Sequence, residues 1–380
     1  MSNIVHYNGS MLGLLMYHWN IKDSDAYNLQ HLSKVFGEIT LIDRTDTLKN
    51  PIKTKITYPM PKEWVTVPDI NTIGLYRAKD ILEKAKSLNK KIVLMWSGGL
   101  DSTAALMWFL ATGLPLDNFE VALNQYSIDE YPACYEFLKR TKLTIVESNR
   151  YVLDIPNDTL LVTGEHGDQL FGSTVMKRFN NCKVKPYGYH EYQYEHNIHA
   201  LNTPMYPLFS MLFVEASCDI NGESRIREYL QPLIDKAPFK LKTLFDLTWW
   251  LNFTLKWQEV GYRMTTSCPD KHNSHIGFFS SEDFQLWAMD EKNHIENKIN
   301  WNDSDPWNTS YKKALRDVIF RLTGDIYYRN TKPKVDSLMH HNLNGMCFRY
   351  DTGEIETLKD VIVGLDKTPA NYFNLPCNNI

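Results

Sequence analysis

The chain has 380 residues, 43% of them hydrophobic, and a formal net charge of −4. That length allows two or three domains with cores of their own, and the near-balance of charge supplies no overall basic field, which disfavours nucleic acid as a partner. No apolar stretch reaches the roughly 18 residues of a membrane span, and the N-terminus lacks a basic leader and a small-residue cleavage pattern, so a cytoplasmic globular protein is expected.

Residues 1–74 mix short apolar runs with turn signals, and "YPMPKEWVTVP" reads as an extended, proline-rich connector; the pattern assigns no fold to this small region. Residues 75–200 read as an α/β core. "IGLYRAKDILEKAKSLNKK" is helical, with Leu75, Ala78, Ile81, Leu82 and Ala85 on one face. "KKIVLM" is short, β-branched and uninterrupted, as a strand buried on both faces reads. "STAALMWFLATGLP" favours helix, with Gly113 placed to cap it and Pro115 to prevent continuation. "FEVALN" (strand), "DEYPACYEFLKR" (helix), "KLTIVES" (strand) and "DTLLVTG" (strand) continue a βαβ succession, which predicts a parallel sheet covered by helices, with ligands at the strands' carboxyl ends. In residues 201–380 strand-like runs are scarce, and "FKLKTLFDLTWWLNFTLKWQ", "EDFQLWAMDEK" and "SYKKALRDVIFRLTG" read as helices. The predicted fold class is therefore α/β, a parallel-sheet core with a mostly helical C-terminal part. The six cysteines (Cys134, Cys182, Cys218, Cys268, Cys347, Cys377) form no C-x-x-C pair, so they suggest reduced thiols, with neither a zinc cluster nor a disulfide framework.

Between the strand "KKIVLM" and its helix lies "WSGGLDST". A strand-to-helix turn of this kind collects unpaired N–H groups at the positive end of the helix dipole, and glycines let an anion approach that backbone closely. Phosphate is the natural guest. Ser97, Ser102 and Thr103 add hydroxyl donors, whereas Asp101 is tolerable beside phosphate only with a bridging cation such as Mg²⁺. "VTGEHGDQLFGS" follows another strand, so Glu165 and Asp168 are expected at the same edge, where two more acids call for a metal.

Ser97, Gly98, Gly99, Leu100, Asp101 and Ser102 match the SGGxDS signature, and on them the chain resembles the N-type ATP pyrophosphatases, or PP-loop enzymes. Gly164, Glu165, Gly167, Asp168, Leu170, Phe171 and Gly172 are similar to the S-G-E-G-x-D-E-L-F-G-G stretch of asparagine synthetase and β-lactam synthetase. Thr163, His166, Gln169 and Ser173 depart from it, and Gln169 replaces an acid that lies near the amino-acid substrate in that family, which argues against aspartate as substrate. Lys312, Leu315 and Arg316 resemble the family's K-x-x-L-R helix, and Arg329 and Lys332 its R-x-K region with one residue inserted; Lys334 competes with Lys332 for the catalytic position. The resemblance covers about residues 75–340.

It implies MgATP binding with Ser97, Gly98, Gly99 and Ser102 around the pyrophosphate, adenosine against Leu94, Met95 and Gly164, Lys312 among the nucleotide ligands, and Asp101 and Asp168 on Mg²⁺. Lys332 and Glu165 are the implied catalytic residues. Replacing Lys332 by Met is expected to slow the chemical step on the order of a hundredfold or more while ATP affinity changes much less. The implied reaction adenylates a small-molecule carboxylate, releases pyrophosphate and passes the acyl group to ammonia or an amine. Position two is Ser2 and no cysteine precedes Cys134, so the family's N-terminal cysteine nucleophile is absent and ammonia would come free, from a separate donor, or as a substrate amine. Two alternatives stand beside this reading: a nucleotide-binding scaffold without catalysis, and a PP-loop enzyme adenylating a nucleic-acid base.

Overall fold

The computed structural model describes residues 5–6, 28–29, 32–33, 41–49, 56–113, 115–147, 158–172, 222–261, 274–298, 309–332, 347–350 and 355–357. The chain divides into two compact units, one made of Pro61–Phe171 and Ser267–Leu343, the other of Met1–Met60, Gly172–Thr266 and Asn344–Ile380.

The first unit is built on a five-stranded sheet: β1 (Lys91–Met95), β2 (Phe119–Leu123), β3 (Thr144–Glu147), β4 (Thr159–Thr163) and β5 (His275–Gly277). All neighbours are parallel and the order is β3-β2-β1-β4-β5. The order reverses between β1 and β4, and it is at such a switch point, outside the carboxyl ends of the strands, that open α/β sheets bind ligands. The strand of "KKIVLM" is buried over Ile92–Met95, as its uninterrupted apolar run predicts. β5 is a strand the sequence pattern does not announce: three residues with a single isoleucine carry no period.

Helix α1 (Ile70–Ser87) begins on an Asp69 cap and α2 (Leu100–Ala111) ends before Gly113, whose φ of 67° is left-handed. The buried face of α1 is Ile70, Ile73, Ala78, Ile81 and Ala85, while Leu75 and Leu82 lie at its margin. The face is turned this way because Gly74 admits the Trp108 ring, which would stand 2.1 Å from a Cβ there. Trp108 in turn stacks on Phe278, with centroids 5.6 Å apart. "DEYPACYEFLKR" is two helices, α3 (Gln125–Glu130) and α4 (Pro132–Lys139), separated at Tyr131, because proline bars helical backbone from the residue before it. The described residues of this unit also form helices α5 (Gly167–Phe171), α6 (Glu282–Met289), α7 (Glu291–Asn297), α8 (Lys313–Thr323) and α9 (Ile326–Thr331).

In the second unit, Val5–His6 pairs antiparallel with Cys347–Tyr350, which pairs antiparallel with Ile355–Thr357. Helix Leu244–Leu251 starts on a Thr243/Asp246 capping box and runs into a π-helical turn, Asn252–Lys256. Arg44 lies buried over the Trp257 ring, 4.5 Å from its centroid, and donates to the carbonyls of Tyr58, Phe253 and Pro59. Burial pulls its guanidinium down to about 9.

Candidate active site

β1 delivers the chain to Ser97 and α2 carries it away from Gly99, so the glycine pair is the turn itself. Gly98 has a φ of 73°, and a Cβ on it would sit 2.4 Å from the Ser127 carbonyl oxygen. Glycine is required there for both reasons. The serines brace the turn: Ser102 Oγ accepts from the Ser97 N–H at 3.0 Å and lies 2.9 Å from Ser97 Oγ, which accepts from the Gly99 N–H at 3.3 Å. Trp96 Nε1 donates to Thr103 Oγ1 at 2.9 Å, fixing the start of α2 from below.

The loop after β4 meets this turn backbone to backbone. A Cβ on Gly164 would lie 2.7 Å from the Ser102 nitrogen, and one on Gly167 would lie 2.3 Å from Asp101 Oδ1. The glycines of the second motif are therefore what lets the two strand-end loops touch. Asp168 comes with them. His166, between them, has a φ of 75°, an unusual backbone for a non-glycine residue.

Lys312 joins the acids. Its buried ammonium donates to Asp101 at 2.7 Å (Oδ1) and 2.5 Å (Oδ2) and to Asp168 Oδ1 at 2.6 Å. Tyr311 OH donates to the same Asp168 oxygen at 3.1 Å. Lys312 itself adopts left-handed backbone, with φ 55°, immediately before α8, so the expected helix from "SYKK" begins only at Lys313. One ammonium faces Asp101 and Asp168, and Glu165 also acts electrostatically on Asp101. Burial pushes the Asp101 carboxyl up to about 6, with Asp168 and Glu165 adding to the rise and Lys312 opposing it. Burial works against the Lys312 charge, but the two carboxylates more than offset it and hold its pKa above the ordinary value.

Lys332, at the end of α9, is buried against Glu130 at the end of α3, with Nζ 2.5 Å from Oε1. Glu130 borders the glycine turn: its Cβ would be 2.9 Å from a Cβ on Gly98, and its Oε1 3.4 Å from one on Gly99. Tyr328 OH donates to the Gly98 carbonyl at 2.7 Å, and its ring stacks on Tyr131 at a centroid distance of 3.5 Å. Arg316 links the two lysine-bearing segments, donating from Nε to the Tyr311 carbonyl at 2.7 Å and from Nη1 to the Arg329 carbonyl at 2.9 Å. Arg329 pairs with Asp317 at 2.6 Å.

Ser97, Gly98, Gly99, Asp101, Ser102, Gly164, Glu165, Asp168, Lys312 and Lys332 thus lie around one sheet edge. Leu94 and Met95 lie in β1, with Leu94 paired to Val121 and Val162 and both side chains buried. Their side chains are core, which leaves backbone as what they can offer a ligand. Gln169 is buried within α5. Lys334, Pro333 and Ser173 lie outside the described residues. Sequence reasoning missed Glu130, Tyr311 and Tyr328; each is an ordinary residue in a helical pattern, and only the fold brings it to the turn. No family model, curated protein or solved structure matches the chain.

Proposed function

We propose that the chain is an ATP-dependent ligase of the asparagine-synthetase kind, which adenylates a small-molecule carboxylate with release of pyrophosphate and passes the acyl group to ammonia or an amine. The observation that carries this reading is the meeting of two strand-end loops at the switch point of a parallel sheet, with Asp101 and Asp168 on one shared cation. A serine-braced glycine turn at a helix N-terminus is suited to a polyphosphate, whose charge the first-turn N–H groups and the helix dipole favour.

Among the described residues no group of three or more metal-ligating side chains stands assembled. The donor chemistry nevertheless fits Mg²⁺. Asp101 and Asp168 are oxygen donors already close enough to share one cation, and Mg²⁺ commonly takes one or two carboxylates and completes its shell with phosphate and water. Held by Asp101 and Asp168, Mg²⁺ would supply neutralisation of charge on the phosphates. For the protein's own part, Lys312 is placed to exchange its carboxylates for phosphate oxygens, and the hydroxyls of Ser97 and Ser102 orient the turn. Glu165, near enough to act on Asp101, is the candidate acid–base group for the incoming amine.

The test supplies α-labelled and γ-labelled ATP with Mg²⁺ to the full chain, across amino acids, other carboxylic acids and amines. AMP and pyrophosphate in a carboxylate-dependent reaction are expected. ADP with orthophosphate, or AMP formed only in the presence of nucleic acid, overturns the ligase reading.

A further inference from the structure

The pairing of Lys332 with Glu130 gives that acid a role. A buried ion pair is a poor means of stabilisation, since apolar residues of the same volume commonly do as well or better. Here two charges from segments 202 residues apart are buried together, and the pair abuts the glycines of the proposed phosphate turn. Tyr328, one helical turn before Lys332, is tied to the Gly98 carbonyl, so the lysine's segment is anchored to the turn itself.

We propose that Glu130 is a positioning residue: it holds the Lys332 ammonium beside the Gly98–Gly99 turn and, by cancelling most of its field, sets the affinity of that turn for polyphosphate. The proposal rests on the turn being a phosphate loop. It makes a prediction about sign that packing alone does not. Removing the Glu130 charge strengthens anion binding, and removing the Lys332 charge exposes the anion to an unbalanced carboxylate.

The experiment is calorimetric titration of the full chain with inorganic pyrophosphate and Mg²⁺, with ATP as a second probe. Glu130→Gln should bind on the order of tenfold tighter than wild type and Lys332→Met on the order of tenfold weaker. The double variant should return to within about threefold of wild type, because the cancelled pair contributes little net field. Glu130→Asp, which keeps the charge, should also stay near wild type. Glu130→Gln binding no tighter than wild type, or affinities that follow side-chain size instead of charge, overturn the proposal. If a single variant fails to fold, the double variant decides: a loss of tenfold or more makes Lys332 an uncancelled phosphate ligand and refutes the role given to Glu130. Wild-type protein that binds neither pyrophosphate nor ATP sinks the phosphate-loop reading itself, whereas wild-type binding with unresponsive variants sinks only the part assigned to Glu130.

Discussion

Lys312 and Lys332 are both buried and both end on carboxylates at the same turn, yet they occupy opposite electrostatic situations. Lys332 pairs with Glu130 away from solvent, with 6% and 1% of the two side chains exposed. Lys312 meets two acids, and the Asp168 side chain is 46% exposed. A closed pair leaves little room for a further ligand, whereas an acid-rich cluster with one open member is where the proposed Mg²⁺ would go. The difference separates an open, acid-rich side of the turn, at Asp101 and Asp168, from a closed side at Glu130.

The largest expected effect tests the closed side. Lys332→Met strands a buried carboxylate and should cost about 3–5 kcal/mol in denaturant unfolding, most of it recovered in the Glu130→Gln/Lys332→Met double variant. A slow chemical step in Lys332→Met alone therefore mixes lost charge with a stranded acid, and the double variant is the cleaner measure. Lys312→Met should cost less, about 1–3 kcal/mol, because Asp168 can hydrate and Asp101 can take up a proton. If Lys312→Met proves the more damaging of the two, the contrast between closed and open sides is wrong.

The glycines offer a second, smaller contrast. Alanine at Gly98 meets a backbone carbonyl in a left-handed conformation, so a loss of about 2–4 kcal/mol is expected by thermal or denaturant unfolding. Alanine at Gly167 meets the Asp101 carboxyl group, a side chain that can shift at the expense of its bonds to Lys312, where Gly98 meets fixed backbone. That variant should lose about 1 kcal/mol or less, while Mg²⁺-dependent ATP turnover falls by tenfold or more as Asp101 leaves its place. Equal stability losses at the two positions would show that Asp101 is held as rigidly as backbone.

Much of the fold was legible because long periodic or uninterrupted apolar runs have one reading: β1 to β4, α1, α2 and α8 follow from "KKIVLM", "FEVALN", "STAALMW" and their like. Both glycine motifs were legible because turn geometry and close approach restrict the residue type locally. The edge strand β5 was not, having only three residues, and "DEYPACYEFLKR" reads as one helix although the backbone before Pro132 divides α3 from α4. The partners of the two lysines were hidden for a different reason. Ion pairing between Lys332 and Glu130 is decided by how α3 and α9 fold back on the turn, and no local pattern in either segment encodes the other. The resemblance that pointed to Lys332 carries no information about its burial or its partner.

The smallest expected effects concern pH, and they sharpen the contrast through two carboxyls shifted in opposite directions. Asp69 caps α1, accepting from the Asn71 and Thr72 N–H groups and the Thr72 hydroxyl, and the hydroxyl bond foremost lowers its pKa. A depressed folded pKa gives stability that is present above the unfolded value and lost as pH falls through the folded one. Asp69→Ala should therefore cost about 1 kcal/mol near neutrality, with the gap to wild type closing in acid below the usual carboxylate range. Asp101 must run the other way. Its folded pKa of about 6 lies above the unfolded value of 3.8, so the folded chain takes up a proton first. Wild type should gain stability relative to Asp101→Asn as pH falls from above 6 toward 4, and the gain should stop once the unfolded chain is protonated as well. Denaturant midpoints of the three proteins across pH 3–8 measure both slopes. A wild-type Asp101 slope with the sign of Asp69 would mean that Lys312 outweighs burial, that the cluster is balanced as it stands, and that the open side has no need of a second cation.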